Sequence, residues 1–234
     1  MKNIIVLVVL FASINILYGQ NEGMFPVTIN EALPEYTLTD SEGGQISSVE
    51  LLGKKVMLIF IRGKVTKGIW CPICQYQYLE LAEMESKYKL RKKHNMEILF
   101  VMPYSTDSLE NWINAFPKSI DIIEGWKYPK NEKDLPQATI EWMNYAREFF
   151  PATYKDFPGS LDLSLPVVFD VDQSVSKGLQ IYRQEWSGTI VEQNVPTILI
   201  IDEKGLVKFK YFSQYTHDRP NAIYIKKYIK NMIE

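Results

Sequence analysis

The residues of this chain that are best suited to chemistry are two cysteines in the segment Trp70-Cys71-Pro72-Ile73-Cys74. They are the only cysteines among the 234 residues, so any thiol chemistry takes place at this pair. The spacing fits the first turn of a helix, where free backbone N–H groups and the helix dipole stabilise a thiolate. Such surroundings lower a cysteine pKa from about 8.5 to between about 3.5 and 7.5. The pattern therefore predicts a redox dithiol, with Cys71 as the attacking sulfur and Cys74 as the sulfur that resolves the mixed disulfide.

Zinc sites, haem attachment sites and structural disulfides also use a Cys-x-x-Cys pair. A zinc site would need His94 and His217 to complete four ligands, and the spacing argues against it. Haem attachment requires a histidine directly after the second cysteine, where this chain has Gln75. A disulfide that closes so short a loop removes little entropy from the unfolded chain, so it would be a weak staple. We expect no metal and no cofactor.

The first nineteen residues have the features of a secretory signal peptide. Lys2 supplies a positive charge, residues 4–17 are mostly apolar, and Gly19 is a small residue suited to cleavage beside Gln20. The apolar stretch is shorter than the about 20 residues of a comfortable membrane span, although an uncleaved anchor is an alternative. We predict a signal peptide at residues 1–19. The mature chain is then secreted across the inner membrane into the periplasm of a bacterial cell envelope, without stable membrane insertion. A dithiol there can be oxidised at rest.

The composition is that of a protein with a large apolar core and no nucleic-acid partner. Hydrophobic residues make up 46 % of the chain and aromatic residues 13 %, and the formal net charge is −2. The acidic and basic residues are interspersed, so the chain lacks the basic footprint of nucleic-acid binding. The length predicts one domain over residues 20–234, with an insertion rather than a second domain.

The apolar pattern predicts a strand–helix–strand unit around the dithiol. A short hairpin over residues 36–49 precedes a buried strand at 56–61, a loop at 62–70, a helix from the cysteines to about Lys93 and a second buried strand at 97–102. A crossover helix between two strands implies that they pair in parallel. Cys74, Tyr78 and Leu81 share one helix face, which directs Cys74 to the core and leaves Cys71 at the exposed tip.

The second half of the chain is interrupted by an aromatic, proline-containing segment at about 117–160, which we interpret as a helical insertion. Asp134 and Gln137 suggest a capping box for a helix that ends before Pro151. Strands are then predicted at 166–170, 197–201 and 206–212, with a short helix at 173–179. The last two strands pair in antiparallel fashion, and a final helix is capped by Asp218.

The dithiol directly after a buried strand, followed much later by Val195-Pro196-Thr197 and a hairpin, resembles the thioredoxin fold. The segment at 33–74 is similar to the AhpC/TSA–redoxin superfamily: Pro-x-Tyr-Thr-Leu-Thr-Asp, two glycines, Leu-Leu-Gly-Lys-Lys-Val, an apolar strand and Trp-Cys-Pro-x-Cys. Within it, the secreted TlpA/ResA-type thiol–disulfide oxidoreductases are the most similar. The resemblance covers 33–116 and 165–234. It implies an α/β, thioredoxin-like fold, in which helices flank a central mixed sheet with an N-terminal β extension and the helical insertion.

The resemblance also implies roles for residues around the dithiol. Trp70 and Pro72 would shape the surface around Cys71, while Pro196 would be a cis proline facing the cysteines, with Val195 pairing to a bound substrate strand. The implied partners are protein or small-molecule thiols and disulfides, together with an upstream electron donor or acceptor. Arg62, Lys64 and Lys67 are candidates for a positive potential at the sulfur, with ordinary solvation of the loop as the alternative.

This chain departs from its relatives at three places. The positions that hold Pro and Thr in the Pro-x-x-x-Thr-x-x-Cys motif of peroxiredoxins are occupied by Lys64 and Gly68, and the loop before the cysteines is longer. Gln77 stands where TlpA/ResA-type proteins often have a glutamate, and an amide cannot accept the proton of Cys74. Two alternatives to a thiol–disulfide oxidoreductase therefore stay open: an antioxidant thiol peroxidase of the peroxiredoxin type, and a redox-inert thioredoxin-fold binding module.

Overall fold

A seven-stranded mixed sheet organises the part of the chain that the computed structural model describes, residues 27–131, 134–154 and 163–233. The strands of this sheet are β1 (Thr37–Thr39), β2 (Gln45–Ser47), β3 (Lys55–Phe60), β6 (Met96–Met102), β7 (Val167–Phe169), β10 (Thr197–Ile201) and β11 (Val207–Phe212). Their order across the sheet is β11-β10-β3-β6-β7-β1-β2. The predicted signal peptide lies outside the described residues.

The strand pairing confirms the predicted strand–helix–strand unit. β3 pairs in parallel with β6, and β6 pairs in parallel with β7, while β10 is antiparallel to both β3 and β11. β1 and β2 form the N-terminal hairpin at the other edge of the sheet. Every residue of β3 is buried, as expected for a strand that is covered on both faces. The α/β thioredoxin-like architecture implied by the sequence is therefore confirmed.

Two small hairpins lie outside this sheet, and the sequence interpretation missed both. β4 (Lys64–Thr66) and β5 (Ile69–Trp70) replace the predicted loop before the cysteines, and they turn at Gly68 with a φ of +76°. β8 (Tyr182–Trp186) and β9 (Thr189–Asn194) form the second hairpin, which turns through Ser187 and Gly188. The polar residues in these strands hide the alternation that identifies a strand in sequence.

The helices that the sequence analysis predicted are found in the same order, with one break. The helix after the cysteines ends at Lys89, which has a left-handed φ of 52°, and a short second helix continues to the next strand. The helices are α1 (Pro72–Tyr88), α2 (Leu90–His94), α3 (Ser108–Asn114), α4 (Phe116–Lys127), α5 (Gln137–Phe149), α6 (Ser174–Gly178) and α7 (Ala222–Ile233). None of the helices within the described ranges is long and apolar enough to cross a membrane.

Two of the predicted helix caps are wrong. Asp134 does not cap α5. The N-cap position belongs to Pro136, two residues later, which makes no side-chain hydrogen bond to the helix. Asn221 caps α7, where its Oδ1 accepts a hydrogen bond from the backbone N–H of Tyr224 at 2.8 Å. The Asp218 carboxylate accepts instead from the N–H of Gln214 at 2.7 Å, so it stabilises the turn before α7.

The sheet separates two apolar clusters. The larger one contains both cysteines and lies under α1, α4 and α7, with Tyr78, Trp112 and Phe116 in edge-to-face contacts at its centre. The smaller one lies on the opposite face, where α6 packs against side chains of the sheet strands. The side chains of α4 belong to the larger cluster, so the first part of the predicted insertion shares its core with the dithiol. Residues 155–160 of the predicted insertion lie outside the described residues.

Candidate active site: the dithiol and two buried guanidinium groups

The dithiol lies at the start of α1. Cys71 occupies the N-cap position in an extended conformation, and Pro72 begins the helix, where its missing N–H costs nothing. The carbonyl of Cys71 accepts hydrogen bonds from the N–H groups of Cys74 and Gln75 at 3.1 and 3.3 Å. The N–H of Cys71 donates to the carbonyl of Gly63 at 2.8 Å, which ties it to the strand side of the site. Both sulfurs are free thiols, placed as the sequence predicted at the positive end of a helix.

The prediction that Cys71 lies at an exposed tip is wrong. Cys71 is 2 % exposed and Cys74 is 1 % exposed. The β4–β5 hairpin folds back over the helix start, and Trp70 packs edge-on against Tyr104 with ring centroids 5.5 Å apart. From the other side, the segment between β11 and α7 brings Arg219 against both sulfurs. A helix-face argument cannot show this burial, because neither covering segment belongs to the helix and the one with Arg219 is distant in sequence.

Arg219 is the residue that sequence reasoning missed. Its Nη2 lies 3.6 Å from Sγ of Cys74 and 4.0 Å from Sγ of Cys71. Its Nη1 donates to the carbonyl of Thr216 at 2.5 Å, and the residue is only 6 % exposed. An arginine is rarely buried without a partner. The two thiols provide that partner, since a thiolate would offset the desolvated charge. Nothing in the local sequence distinguishes this arginine from a solvated one.

Arg62 supplies a second buried guanidinium, at 4 % exposure. Its Nε donates to Oε1 of Gln193 and its Nη2 to Oγ1 of Thr189, both at 2.7 Å, and its Cζ lies 5.0 Å from the ring centroid of Trp186. All three partners belong to the β8–β9 hairpin or its turn. A backbone hydrogen bond also joins Arg62 to this hairpin: the N–H of Asn194 donates to the carbonyl of Arg62 at 3.1 Å. The hairpin therefore holds Arg62 in place beside the dithiol.

These surroundings separate the acidities of the two thiols. Burial raises the pKa of Cys71, but the hydrogen bond from the Cys74 thiol, the charges of Arg219 and Arg62 and the backbone N–H of Cys74 together lower that pKa to about 6. Burial raises the pKa of Cys74 well above its usual range, and the neighbouring Cys71 raises it further. Cys71 is thus the thiolate near neutral pH, while Cys74 keeps its proton.

The other predicted site residues surround the pair at different distances. Trp70 and Pro72 are buried beside Cys71, so they pack the site instead of forming an open surface. Lys64 lies over the rings of Trp70 and Tyr104, 5.4 and 4.7 Å from their centroids, and Lys67 is exposed in the hairpin turn. Of the three basic residues named from sequence, Arg62 has a charge that acts on the sulfurs.

The expectation of a cis proline at Pro196 is wrong. The described residues contain no cis peptide bond, so the Val195–Pro196 bond is trans. The backbone is fixed on both sides in this form: the N–H of Val195 donates to the carbonyl of Ile181 at 2.7 Å, and the carbonyl of Pro196 accepts from Ser213 at 2.9 Å. Val195 packs against the smaller apolar cluster, on the face of the sheet away from the cysteines. Pro196 is buried at the entry to β10.

Comparison with known proteins agrees with this architecture. The model of the AhpC/TSA family matches residues 29–129. This match confirms the resemblance to the AhpC/TSA–redoxin superfamily. Two curated relatives, the thiol-disulfide oxidoreductases ResA of Bacillus thuringiensis and Bacillus anthracis, are each 32 % identical to this chain over 98 residues. That alignment covers 40 % of this chain and 51 % of each relative, so the chain spans about half the length of the curated relatives it matches.

The solved structures that resemble this chain include peroxiredoxins. A reduced 2-Cys peroxiredoxin of Plasmodium vivax superimposes with a TM-score of 0.51 at 14 % identity, covering 88 % of this chain and 82 % of that one. A peroxiredoxin 6 of Arenicola marina gives a TM-score of 0.54 at 12 % identity, covering 88 % and 74 %. At such low identity these similarities establish a shared fold.

Proposed function

We propose that this chain is a thiol–disulfide oxidoreductase that works outside the cytoplasm. The observation that carries the proposal is the position of the Arg219 guanidinium within 4.0 Å of both sulfurs at the start of α1. A positive charge and a helix N-terminus together favour the thiolate of Cys71. A protonated, buried Cys74 beside it is suited to the second step, since it cannot compete for the substrate.

The reaction proceeds by two exchanges. The Cys71 thiolate attacks one sulfur of a substrate disulfide, so the Cys71–substrate bond forms and the other substrate sulfur leaves as a thiolate. Cys74 then loses its proton and attacks Sγ of Cys71, which forms the Cys71–Cys74 disulfide and releases the second substrate thiol. Two electrons have passed to the substrate. A dithiol partner reverses these steps to reduce the protein, and the opposite direction oxidises a substrate dithiol.

Trapping of the mixed disulfide tests this assignment. Reduced Cys74→Ala protein exposed to glutathione disulfide should form a stable one-to-one adduct on Cys71, because the sulfur that would release it is absent. Reduced Cys71→Ala protein is the matched control, and it should form little adduct at neutral pH. Intact-mass spectrometry measures both. An adduct that forms on Cys74 and not on Cys71 would reverse the roles, and no adduct on either folded variant would reject exchange chemistry.

A thiol peroxidase is the second candidate, and the burial of both sulfurs favours it. A small hydroperoxide reaches a sulfur that is 2 % exposed more easily than a protein disulfide does. Cys71 would then become a sulfenic acid, and Cys74 would condense with it to give the same disulfide and water. Turnover of hydroperoxide by the pure protein with dithiothreitol, compared with turnover of glutathione disulfide, separates the two functions.

The location outside the cytoplasm is supported by the features of residues 1–19 and by the resemblance to secreted TlpA/ResA-type proteins. Expression in a bacterium followed by cell fractionation tests it. The chain should be found in the periplasmic fraction with a mass that corresponds to cleavage beside Gln20. Recovery of the uncut chain from the cytoplasm would contradict this location.

A further inference from the structure

The β8–β9 hairpin lies outside the central sheet, but Arg62 and Gly63 join it to the dithiol. Gln193 of β9 pairs with Gly63 in an antiparallel bridge, and the carbonyl of Gly63 accepts the hydrogen bond from the N–H of Cys71 at 2.8 Å. The backbone of Arg62 is in turn a hydrogen-bond partner of the Cys74 thiol. Arg62 and Gly63 therefore lie between the hairpin and both sulfurs, so a hairpin residue that fixes them can act on the thiols.

Gln193 is fully buried, and its side-chain amide fits its surroundings in one orientation. Nε2 donates to the carbonyls of Thr189 and Val191, at 3.2 and 3.0 Å, and to Oγ1 of Thr189 at 3.1 Å. A flipped amide would place its oxygen against these carbonyl oxygens and its N–H groups against the guanidinium, so acceptors would face acceptors and donors would face donors. Oε1 therefore faces Arg62, and it accepts from Nε at 2.7 Å. The hairpin fixes the amide, and the amide fixes the guanidinium.

The partners that the hairpin offers to the Arg62 guanidinium are uncharged. They are the amide oxygen of Gln193, the hydroxyl of Thr189 and the ring of Trp186. Among the described residues, no carboxylate forms an ion pair with Arg62. An arginine is almost never this deeply buried unless it is paired. A carboxylate at the position of the Gln193 amide would cancel much of the positive charge, whereas the neutral amide holds the guanidinium and leaves its charge available to the sulfurs.

The titratable and charged groups around Arg62 come from every element that packs near it. They are Cys71 and Cys74 at the start of α1, Lys64 on β4, Tyr104 after β6, Arg219 before α7, and Glu185 and Glu192 on the hairpin itself. Burial raises the pKa of Tyr104, which therefore stays protonated near neutral pH. Both glutamates of the hairpin are exposed, so solvent screens their charges. The Cys71 thiolate is thus the buried anion that the charge of Arg62 stabilises.

We propose that Gln193 is a positioning residue for the attack of Cys71, because its neutral amide holds the Arg62 guanidinium where the full positive charge stabilises the Cys71 thiolate. The proposal rests on the proposed function, in which this thiolate attacks the substrate. The hydrogen bonds of the Gln193 side chain reach Arg62 and the hairpin and not the sulfurs, so Gln193 acts through Arg62. Without the amide oxygen, the long arginine side chain is free to move away from the dithiol, and the thiolate loses part of its stabilisation.

The pH dependence of Cys71 alkylation tests the proposal. Gln193→Met keeps an unbranched, uncharged side chain of similar length but removes the amide that holds the guanidinium. In the reduced wild-type protein, the reaction of Cys71 with iodoacetamide should have a midpoint near pH 6. A nearby opposite charge shifts a pKa by about 1–3 units, and Arg62 acts on Cys71 less strongly than Arg219 does. We therefore expect Arg62→Met to raise this midpoint by about 1 unit and Gln193→Met by about half a unit, which slows alkylation at pH 6 about fivefold and about twofold.

A double-mutant cycle shows whether Gln193 acts through Arg62. When Gln193→Met is added to the Arg62→Met protein, the midpoint should change by less than about 0.2 units, because no charge remains to be positioned. Gln184→Met is the matched control, since it makes the same substitution at an exposed position of the same hairpin and should leave the midpoint unchanged. A purely structural role of Gln193 would lower stability in urea and leave the alkylation midpoint at the wild-type value. That result, or an equal shift with and without Arg62, would overturn the proposal.

Thr189→Val decides the question if Gln193→Met does not fold. It keeps the shape of the side chain and removes the hydroxyl that accepts from Nη2 of Arg62 and from Nε2 of Gln193. The midpoint should rise by about as much as in Gln193→Met, and an unchanged midpoint would overturn the proposal. A wild-type Cys71 midpoint at the ordinary value of about 8.5 would remove the reactive thiolate and so overturn the proposed function as well. A wild-type midpoint near 6 that the substitutions leave unchanged overturns only the role of Gln193.

Discussion

Replacing Arg219 by methionine is the most direct test of what sets the reactivity of the dithiol. The substitution removes the guanidinium but keeps an unbranched side chain in the buried position. At the observed 4.0 Å from Sγ of Cys71, a unit charge in an effective dielectric of about 20 stabilises a thiolate by about 4 kcal/mol, or about 3 pKa units. The charge is shared over the whole guanidinium and Arg62 stays in place. We therefore expect the pKa of Cys71 to rise by about 2 units, to about 8.

The rate of alkylation by iodoacetamide reports this change, because only the thiolate reacts. In the wild-type protein the rate for Cys71 should rise through a midpoint near pH 6, where its lowered pKa places it, and then level off. In Arg219→Met the rise should occur near pH 8, so the two rates differ most at pH 6–7 and converge above pH 9. Peptide mass spectrometry separates Cys71 from Cys74, which should stay protected in both proteins.

The same change has a consequence for the reduction potential. At pH 7 the thiolate stabilises the reduced wild-type protein relative to the variant by about tenfold, which corresponds to about 1.4 kcal/mol and about 30 mV for a two-electron couple. Arg219→Met should therefore be the less oxidising protein by about that amount, measured against a glutathione buffer. Arg183→Met is the control, since it removes the same charge from an exposed position.

The alkylation assay also gives the result that would refute this role of Arg219. It is an alkylation midpoint in folded Arg219→Met that stays within 0.3 pH units of the wild-type midpoint, which corresponds to ~0.4 kcal/mol.

Three further substitutions test the scaffold. Gly63→Ala should lower the free energy of unfolding by about 2–4 kcal/mol, since Gly63 has a φ of +84° and an added Cβ would lie 2.6 Å from Cε2 of Tyr104. Gly68→Ala is the control: Gly68 has a φ of +76° but open space around it, so the loss should be only about 1–2 kcal/mol. Equal losses for the two variants in urea titrations would contradict the steric argument. Pro196→Ala should lower the free energy of unfolding by less than about 1.5 kcal/mol, because replacing a trans proline at the start of a strand mainly removes its constraint on the unfolded chain. A decrease above about 2.5 kcal/mol in the same urea titration would indicate a cis bond instead.

The sequence by itself determined the central sheet, the position of the dithiol and the resemblance to the AhpC/TSA family. These features depend on residues that are close together in the chain: an apolar run long enough for a buried strand, a Cys-x-x-Cys pair with Pro72 at the helix start, and an apolar periodicity that directs Cys74 to the core. Patterns of this kind can be read locally, because the spacing of apolar residues shows which face of a strand or helix is buried, whichever segments cover that face.

Only the tertiary structure decided what surrounds the sulfurs. Arg219 contacts Cys71 from 148 positions further along the chain, and the partners of Arg62 lie 127 and 131 positions away. An arginine in a sequence has the same appearance whether it is solvated or buried against a thiol. The burial of Cys71 has the same cause, since the segment that brings Arg219 against it is distant in sequence, and a single sequence carries no local signal for such contacts. The β8–β9 hairpin joins neighbouring segments, but its polar strands lack the alternation that identifies a strand in sequence.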